Sequence, residues 1–396
     1  MAIKIFRGTD AGAPTLNGMV GSLITVLDAV LVNGYNTVSV TGITRTSATA
    51  TVTTAVAHGL ATGDSATISG AEQSDYNIDA VVTVIDSIHF SYTVANEPAT
   101  PATGTIACKR SPAGFTKTFS GANKATYRAN DLSSVRHTLR VLDDGLSAGG
   151  GGEARVFAFE SMGDVDAGSG PYPTAAQSSN GYFWRKSSTN DSTARAWMII
   201  TDGRIVYYFS DYAAPASGGL TSNTAQFSGA FGDILSYKPG DAYASILTGC
   251  TSANSTSSPP CGLFAGYSSI TNASSFTGPS IVIARDFTAV AGARYVGLFG
   301  SGISAPGLGS STILSYPHLI DNGFYMTPVM VTQGSPSLIR GRLPGCYEAL
   351  HGRCFNNGDI ITNVQGMPGK TFMMVYGTSG PYSGALMIDI TGPWDA

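Results

Sequence analysis

The stretch Ala196-Trp197-Met198-Ile199-Ile200-Thr201-Asp202-Gly203-Arg204-Ile205-Val206-Tyr207-Tyr208-Phe209 decides the fold class. Two runs of aromatic and β-branched residues, the types that suit a pleated surface, flank Thr201-Asp202-Gly203. Asp-Gly favours the tight turns whose twist matches antiparallel strands, so the stretch reads as a β-hairpin. Further strand-forming runs lie at 125–128, 137–141, 154–159, 280–284, 295–299, 325–332, 371–376 and 385–390. The class expected is mainly β, with a β-sandwich or barrel-like body.

One helix is expected before these strands. Leu16, Met19, Val20, Leu23, Ile24, Leu27, Val30 and Leu31 recur at three- and four-residue spacing, with Asn17 as N-cap and Gly34 as terminator. The opposite face carries Gly18, Gly21, Ser22, Thr25, Asp28 and Ala29, small enough for a second backbone to approach.

Between helix and body, residues 44–109 read as a separate small β-domain inserted into the chain. Runs at 48–53, 80–85, 88–94 and 105–109 are rich in β-branched residues, and Gly/Asp turns separate them. Residues 1–43 then form an arm and helix belonging to the body, and 110–396 form the main β-rich assembly body.

Composition excludes some classes. Only 12% of the 396 residues are charged, Gly numbers 49, and the net charge is −4. Basic residues form no stripe, which argues against a nucleic-acid partner, because counterion release needs clustered Lys and Arg. The longest apolar run, 19–32, is too short to span a bilayer, and no apolar leader follows Met1, so neither membrane insertion nor a signal peptide is expected. Long Gly-rich loops at 147–152, 213–219, 249–261 and 301–310 favour a chain ordered by neighbours in an assembly.

Candidate chemistry is sparse. The five cysteines allow bridges Cys250/Cys261 and Cys346/Cys354, against the simpler expectation that all stay reduced. Asp143-Asp144 reads as a solvated turn. Asp164-Val165-Asp166 lacks the Gly and Glu of a calcium loop, and Gly150-Gly151-Gly152 lacks the Lys of a phosphate loop. A glycosidase would need two carboxylates facing each other, and Glu160, Asp164, Asp202, Asp211, Asp233 and Asp241 are its possible sources, with Trp184, Tyr207, Tyr208 and Tyr237 as sugar platforms. Aromatic residues on strands are more often core. No catalytic, cofactor or metal residue is therefore assigned.

Two resemblances add to this reading. His58-Gly59-Leu60, Gly63-Asp64, Ile68 and Gly70, with Asn77 and the strand containing Phe90, resemble a small His-Gly-Leu domain of bacteriophage tail and other virion proteins, itself similar to a β-domain of ubiquitin-activating enzymes. Ala66 and Ile78 depart from that pattern, standing where Val and Gly are usual. The surrounding chain resembles virion structural proteins of tailed phages. This rests on Gly8-Thr9-Asp10-Ala11-Gly12-Ala13-Pro14, the helix segment 23–29, Gly232-Asp233-Ile234, Tyr237-Lys238-Pro239-Gly240-Asp241, Arg340-Gly341-Arg342-Leu343-Pro344-Gly345, Leu350-His351 and Thr391-Gly392-Pro393-Trp394. The resemblance implies a non-enzymatic protein of the tail, collar or capsid exterior, located in the virion after assembly in a bacterial cytoplasm. Its partners would be other virion proteins and further copies of itself, with a host-surface glycan or receptor as the alternative. Physically, 237–241 and Pro344-Gly345 read as turns, and Trp394 as an anchor for the C-terminal segment.

Overall fold

A computed structural model describes residues 2–145, 152–215, 220, 226–251, 263, 281–299, 316–333, 338–351, 355–376 and 385–394. The architecture is mainly β, with one short helical segment and three antiparallel sheets. The hairpin at Asp202-Gly203 joins Arg195–Thr201 to Ile205–Pro215 in register, with Ile200 opposite Tyr207. These two strands lie in a 13-stranded sheet that continues through Gln226–Asp233, Ser245–Thr248, Ile281–Ile283, Arg294–Phe299, Met326–Gln333 and Leu338–Ala349. Ala385–Asp389, Thr371–Tyr376 and Ile360–Thr362 complete one end, and Lys4–Arg7 the other.

The large sheet curls back on itself. Leu235–Ser236 follows Gln226–Asp233 after one residue and pairs with Leu338–Ala349, which makes the intervening strands nearly a closed barrel. Side chains alternate across each strand, so one set fills the barrel interior: Met198, Ile200, Ile205, Tyr207, Phe209 and Ile246. The other set, Trp197, Ile199, Val206, Tyr208, Phe231 and Leu247, faces outward against a second sheet. That sheet runs Gly168–Tyr172, Gly152–Met162, Thr138–Leu142, Lys124–Ala129 and Phe115–Gly121, with Tyr182–Ser187 on Gly152–Met162. Trp184 stacks on Tyr208 at 5.3 Å across the interface, and its indole N–H donates to the Thr248 carbonyl at 2.7 Å. Gly229 is required here, since a Cβ would lie 2.7 Å from the Trp184 ring. Each fully buried large side chain contributes about 1.5–3 kcal/mol.

The helix is shorter than its periodicity predicts. The α-helix covers Ser22–Leu27 and continues as a π-helical segment, Asp28–Asn33, ending at Gly34. Leu16 is not on it but bridges Arg195 as extended chain, and Gly18 is pressed against the Thr189 carbonyl. Asn17 accepts from the Met19 N–H in a local turn and caps nothing, while Gly21, with φ 80°, starts the helix. Tertiary pairing of the 16–18 segment competes with helix there and wins.

An ion pair from the body holds the start of this helix. Asp143, far from a solvated turn, is fully buried and sits 2.6 Å from the buried Lys186 ammonium. Its carboxylate accepts the Leu23 N–H at 2.9 Å, and Lys186 also donates to the Met19 carbonyl. Burial pushes the Asp143 carboxyl up and the Lys186 ammonium down, and their mutual attraction opposes both shifts.

The third sheet spans Tyr35 to Arg110 in the order Asp79–Val81, Ser65–Ala71, Gly104–Arg110, Tyr35–Thr46, Thr49–Thr54, His89–Thr93, Thr83–Val84. Its two end strands are separated in sequence only by Val82, which exchanges backbone hydrogen bonds with Gly63 and Asp64. This sheet therefore also nearly closes, around Ile43, Val52, Ile68, Tyr76 and Phe90. The expected single run at 80–85 is broken at Val82, where the chain crosses between the ends. Tyr35 pairs with Arg110, so the chain enters and leaves this unit side by side.

Among the remaining expectations, the Gly-rich loops at 147–152, 213–219, 249–261 and 301–310 lie largely outside the described residues, as do Cys261 and Cys354. Cys250 is disulfide-bonded, which corrects the expectation of fully reduced cysteines. Cys346 and Cys108 are free and buried, so no Cys346/Cys354 bridge forms.

Lys186→Met is expected to cost about 3–5 kcal/mol in urea unfolding, because it strands a buried carboxylate. The double variant with Asp143→Leu removes both charges, so it should recover stability relative to Lys186→Met alone.

Candidate functional site

The His-Gly-Leu signature is consumed by the small barrel and its seat. His58 accepts the Leu60 N–H on Nδ1 at 3.0 Å and donates from Nε2 to the Asp86 carbonyl at 2.9 Å, which bridges two loops. Gly59, with φ 64°, lies so close to Ala11 that a Cβ would come within 2.5 Å of it. Asn77 forms paired hydrogen bonds with the backbone of Ala71, as a strand residue would. Asp64 accepts from Arg110 at 2.6 Å, and Arg110 reaches the Ile5 carbonyl and lies 3.7 Å from Asp10. Tyr35 donates to Asp10 at 2.8 Å, and burial with that neighbouring charge pushes its hydroxyl pKa well up. The signature thus closes the barrel and fastens it to the N-terminal arm.

Three motifs of the body, 232–234, 237–241 and 340–345, meet at one end of the curled sheet. Arg340 is buried and clamps Asp241 through two hydrogen bonds of 2.9 and 2.8 Å, while also donating to Gln333. Ser236 and Leu235 pair with Gly341 and Arg342, and the Tyr237 N–H donates to the Arg340 carbonyl. Burial works against the Asp241 charge, but Arg340 and Ser236 outweigh it and hold the carboxyl below its ordinary value. Beside this pair, Arg285 grips Glu160 at 2.6 and 2.7 Å and lies over the Tyr243 ring. Residues 237–241 turn as expected, but Pro344-Gly345 lies inside Leu338–Ala349. Gly345, at φ 60°, leaves room for Trp394, which is 3% exposed and anchors the C-terminal segment as expected.

A cavity of about 220 Å³ opens at this end, with a mixed lining: Val135, Ile234, Leu235, Ala244 and Pro344 are apolar, and Ser133, Asp202, Arg204, Asp233, Ser236, Lys238 and Asp241 are polar or charged. Asp202 caps its own turn, accepting the Arg204 and Ile205 N–H groups, and pairs with the Arg204 guanidinium at 3.3 Å. Asp233 accepts the Val135 N–H at 3.0 Å. Burial raises its pKa to about 7, against the lowering effect of Ser134, Val135 and Arg204, and Asp202 adds to the rise.

Of the other carboxylates considered for hydrolysis, Asp241 lines the same cavity, whereas Glu160, Asp164 and Asp211 do not. Glu160 and Asp241 are taken up by arginines, Asp164 accepts the Asp166 N–H in a turn, and Asp211 is buried in its strand. Trp184, Tyr207 and Tyr208 are core residues, whereas Tyr237 is 56% exposed. A larger groove, of about 490 Å³, runs beside the helix, but Lys117 and Lys124 on its wall are engaged by Asp28 and Asp166. Among the described residues no cluster of His, Cys, Asp or Glu could hold a metal ion.

No family model matches the chain, and no curated protein matches it in sequence. Among solved structures, one similar chain is a phage phi92 endosialidase, at 12% identity and a TM-score of 0.15. The match covers 90% of this chain and 52% of that one, so the chain spans about half of that neighbour's length. A likeness this low carries neither fold nor function across.

The Asp233 carboxyl makes stability depend on pH. Its ordinary value is 3.8 and its folded value about 7, so between them the folded chain keeps a proton that the unfolded chain has released. Its contribution is fully present below pH 3.8 and is lost as pH rises to about 7. Asp233→Asn should remove that loss: the melting temperature of the variant should rise relative to wild type across this window and hold a constant difference above it.

Proposed function

We propose that the chain is a non-enzymatic structural protein of a bacteriophage virion, of the tail, collar or capsid exterior, with the small barrel as added surface. The observation that carries the reading is how the few charges are used. The carboxylates and aromatics that sugar hydrolysis would need are mostly tied up as ion pairs or core, while large apolar side chains stand on the surface. Leu319 and Ile320 are 86% and 89% exposed, and Leu338, Ile339 and Phe287 are partly so. Such residues suit contact with neighbouring subunits. The resemblance of the His-Gly-Leu unit and of the convergent motifs to virion proteins supports the same reading.

A second reading, contact with a host-surface glycan or receptor, is favoured by the polar cavity with Tyr237 exposed beside it. Mass spectrometry of purified, gradient-banded virions should recover the protein at a fixed ratio to the major subunits; its absence from intact particles would refute the structural role. For the second reading, a host-glycan array probed with the full chain should give saturable signal, and a blank array together with no binding to host cells would remove it.

A further inference from the structure

We propose that the cavity between Ser133, Asp233, Ser236 and Lys238 is a binding subsite for a single sugar ring, with the exposed Tyr237 as the platform for the next ring. The inference rests on the host-contact reading and names its ligand class and residues. The size comes first: about 220 Å³ is below the roughly 300–1,000 Å³ of sites for drug-sized ligands, and suits one ring rather than a chain. Chemistry follows from the mixed lining. Val135, Ile234, Leu235, Ala244 and Pro344 offer apolar surface, and the remaining lining residues offer hydroxyl, carboxyl, guanidinium and ammonium groups. A pyranose likewise combines C–H groups on its faces with hydroxyls at its rim.

Several of these polar groups retain capacity. Lys238 donates to the Phe287 carbonyl at 2.8 Å, and an ammonium has two further N–H groups. Asp233 accepts from the Val135 N–H and interacts with the Ser134 hydroxyl, and near neutrality its carboxyl is partly protonated, so it can give a hydrogen bond as well as accept one. Asp241 is different, since Arg340 and Ser236 occupy its two oxygens. Ser133 and Lys238 are exposed and lie on the solvent side, and Tyr237 stands next to Lys238 with its hydroxyl 3.5 Å from the Met330 sulfur. That contact steadies the ring without covering it.

The test is saturation-transfer NMR and calorimetry on the full chain with glucose, galactose, rhamnose and N-acetylglucosamine, and with a disaccharide of whichever sugar binds. At least one sugar should bind saturably at pH 6 and more weakly at pH 8, and Lys238→Met and Asp233→Ala should each abolish the signal. Tyr237→Ala should weaken the disaccharide by about fivefold, the scale of one aromatic contact, and leave the single sugar unchanged. Lys238 and Tyr237 are surface positions, so their variants report binding even if Asp233→Ala unfolds. A flat response from all four sugars at both pH values overturns the proposal, as does binding indifferent to Lys238→Met and Tyr237→Ala. Binding of the full chain to host cells is measured alongside: cell binding with a flat response to the sugars sinks this subsite and leaves the host-contact reading standing, whereas loss of both sinks the two together.

Discussion

A sheet with two apolar faces needs a partner on each, and that constraint organises the body. Along Ile205–Pro215, Ile205, Tyr207 and Phe209 point one way and Val206 and Tyr208 the other, all of them buried. One face is covered when the sheet curls and brings Leu338–Ala349 round to Leu235–Ser236. The other is covered by the second sheet through Trp184. Neither cover is local in sequence, so the hairpin at Asp202-Gly203 can form early but cannot be stable alone.

Charge economy is the second theme. With only 12% charged residues, the chain places many of its charges at joints. Asp143 and Lys186 hold the helix start, Arg110 joins the barrel to the arm, and Arg340 with Asp241 locks the curled sheet. Buried pairs of this kind add little net stability over apolar residues, but removing one partner is costly, so they act as registration points. Asp233 is the exception: it borders a cavity, and burial there outweighs the opposing effect of Arg204 and raises its pKa to about 7, where its proton responds to pH.

Much of the fold was legible where local chemistry agreed with the tertiary result. The hairpin, the strands at 295–299 and 371–376, the terminating Gly34 and the anchor Trp394 all stand as read. Leu338–Ala349 was not legible, because Gly341, Pro344 and Gly345 look like turn residues, yet the two glycines have a tertiary reason: Gly341 lets Leu235 approach, and Gly345 makes room for Trp394. Gln226–Asp233 was hidden for the same reason, with Gly229 reserved for the Trp184 ring. The helix was overread, since Leu16 and Met19 fit a helical period by accident of spacing. Asp143 looked like a solvated turn because its partner, Lys186, is distant in sequence. The candidate cavity was half legible: its segments at 232–234 and 237–241 were noticed, but only as motifs.

By itself the sequence determined the mainly β class, the turns at 202–203 and 237–241 and many of the strands, because these follow from backbone preference and side-chain alternation over a few residues. Tertiary structure alone decided which strands close on which, where the helix begins, which carboxylates are paired and which line a cavity. Those outcomes depend on contacts between residues about a hundred positions apart, such as Asp241 with Arg340, and burial sets the charge state of Asp233 only once the sheet has curled.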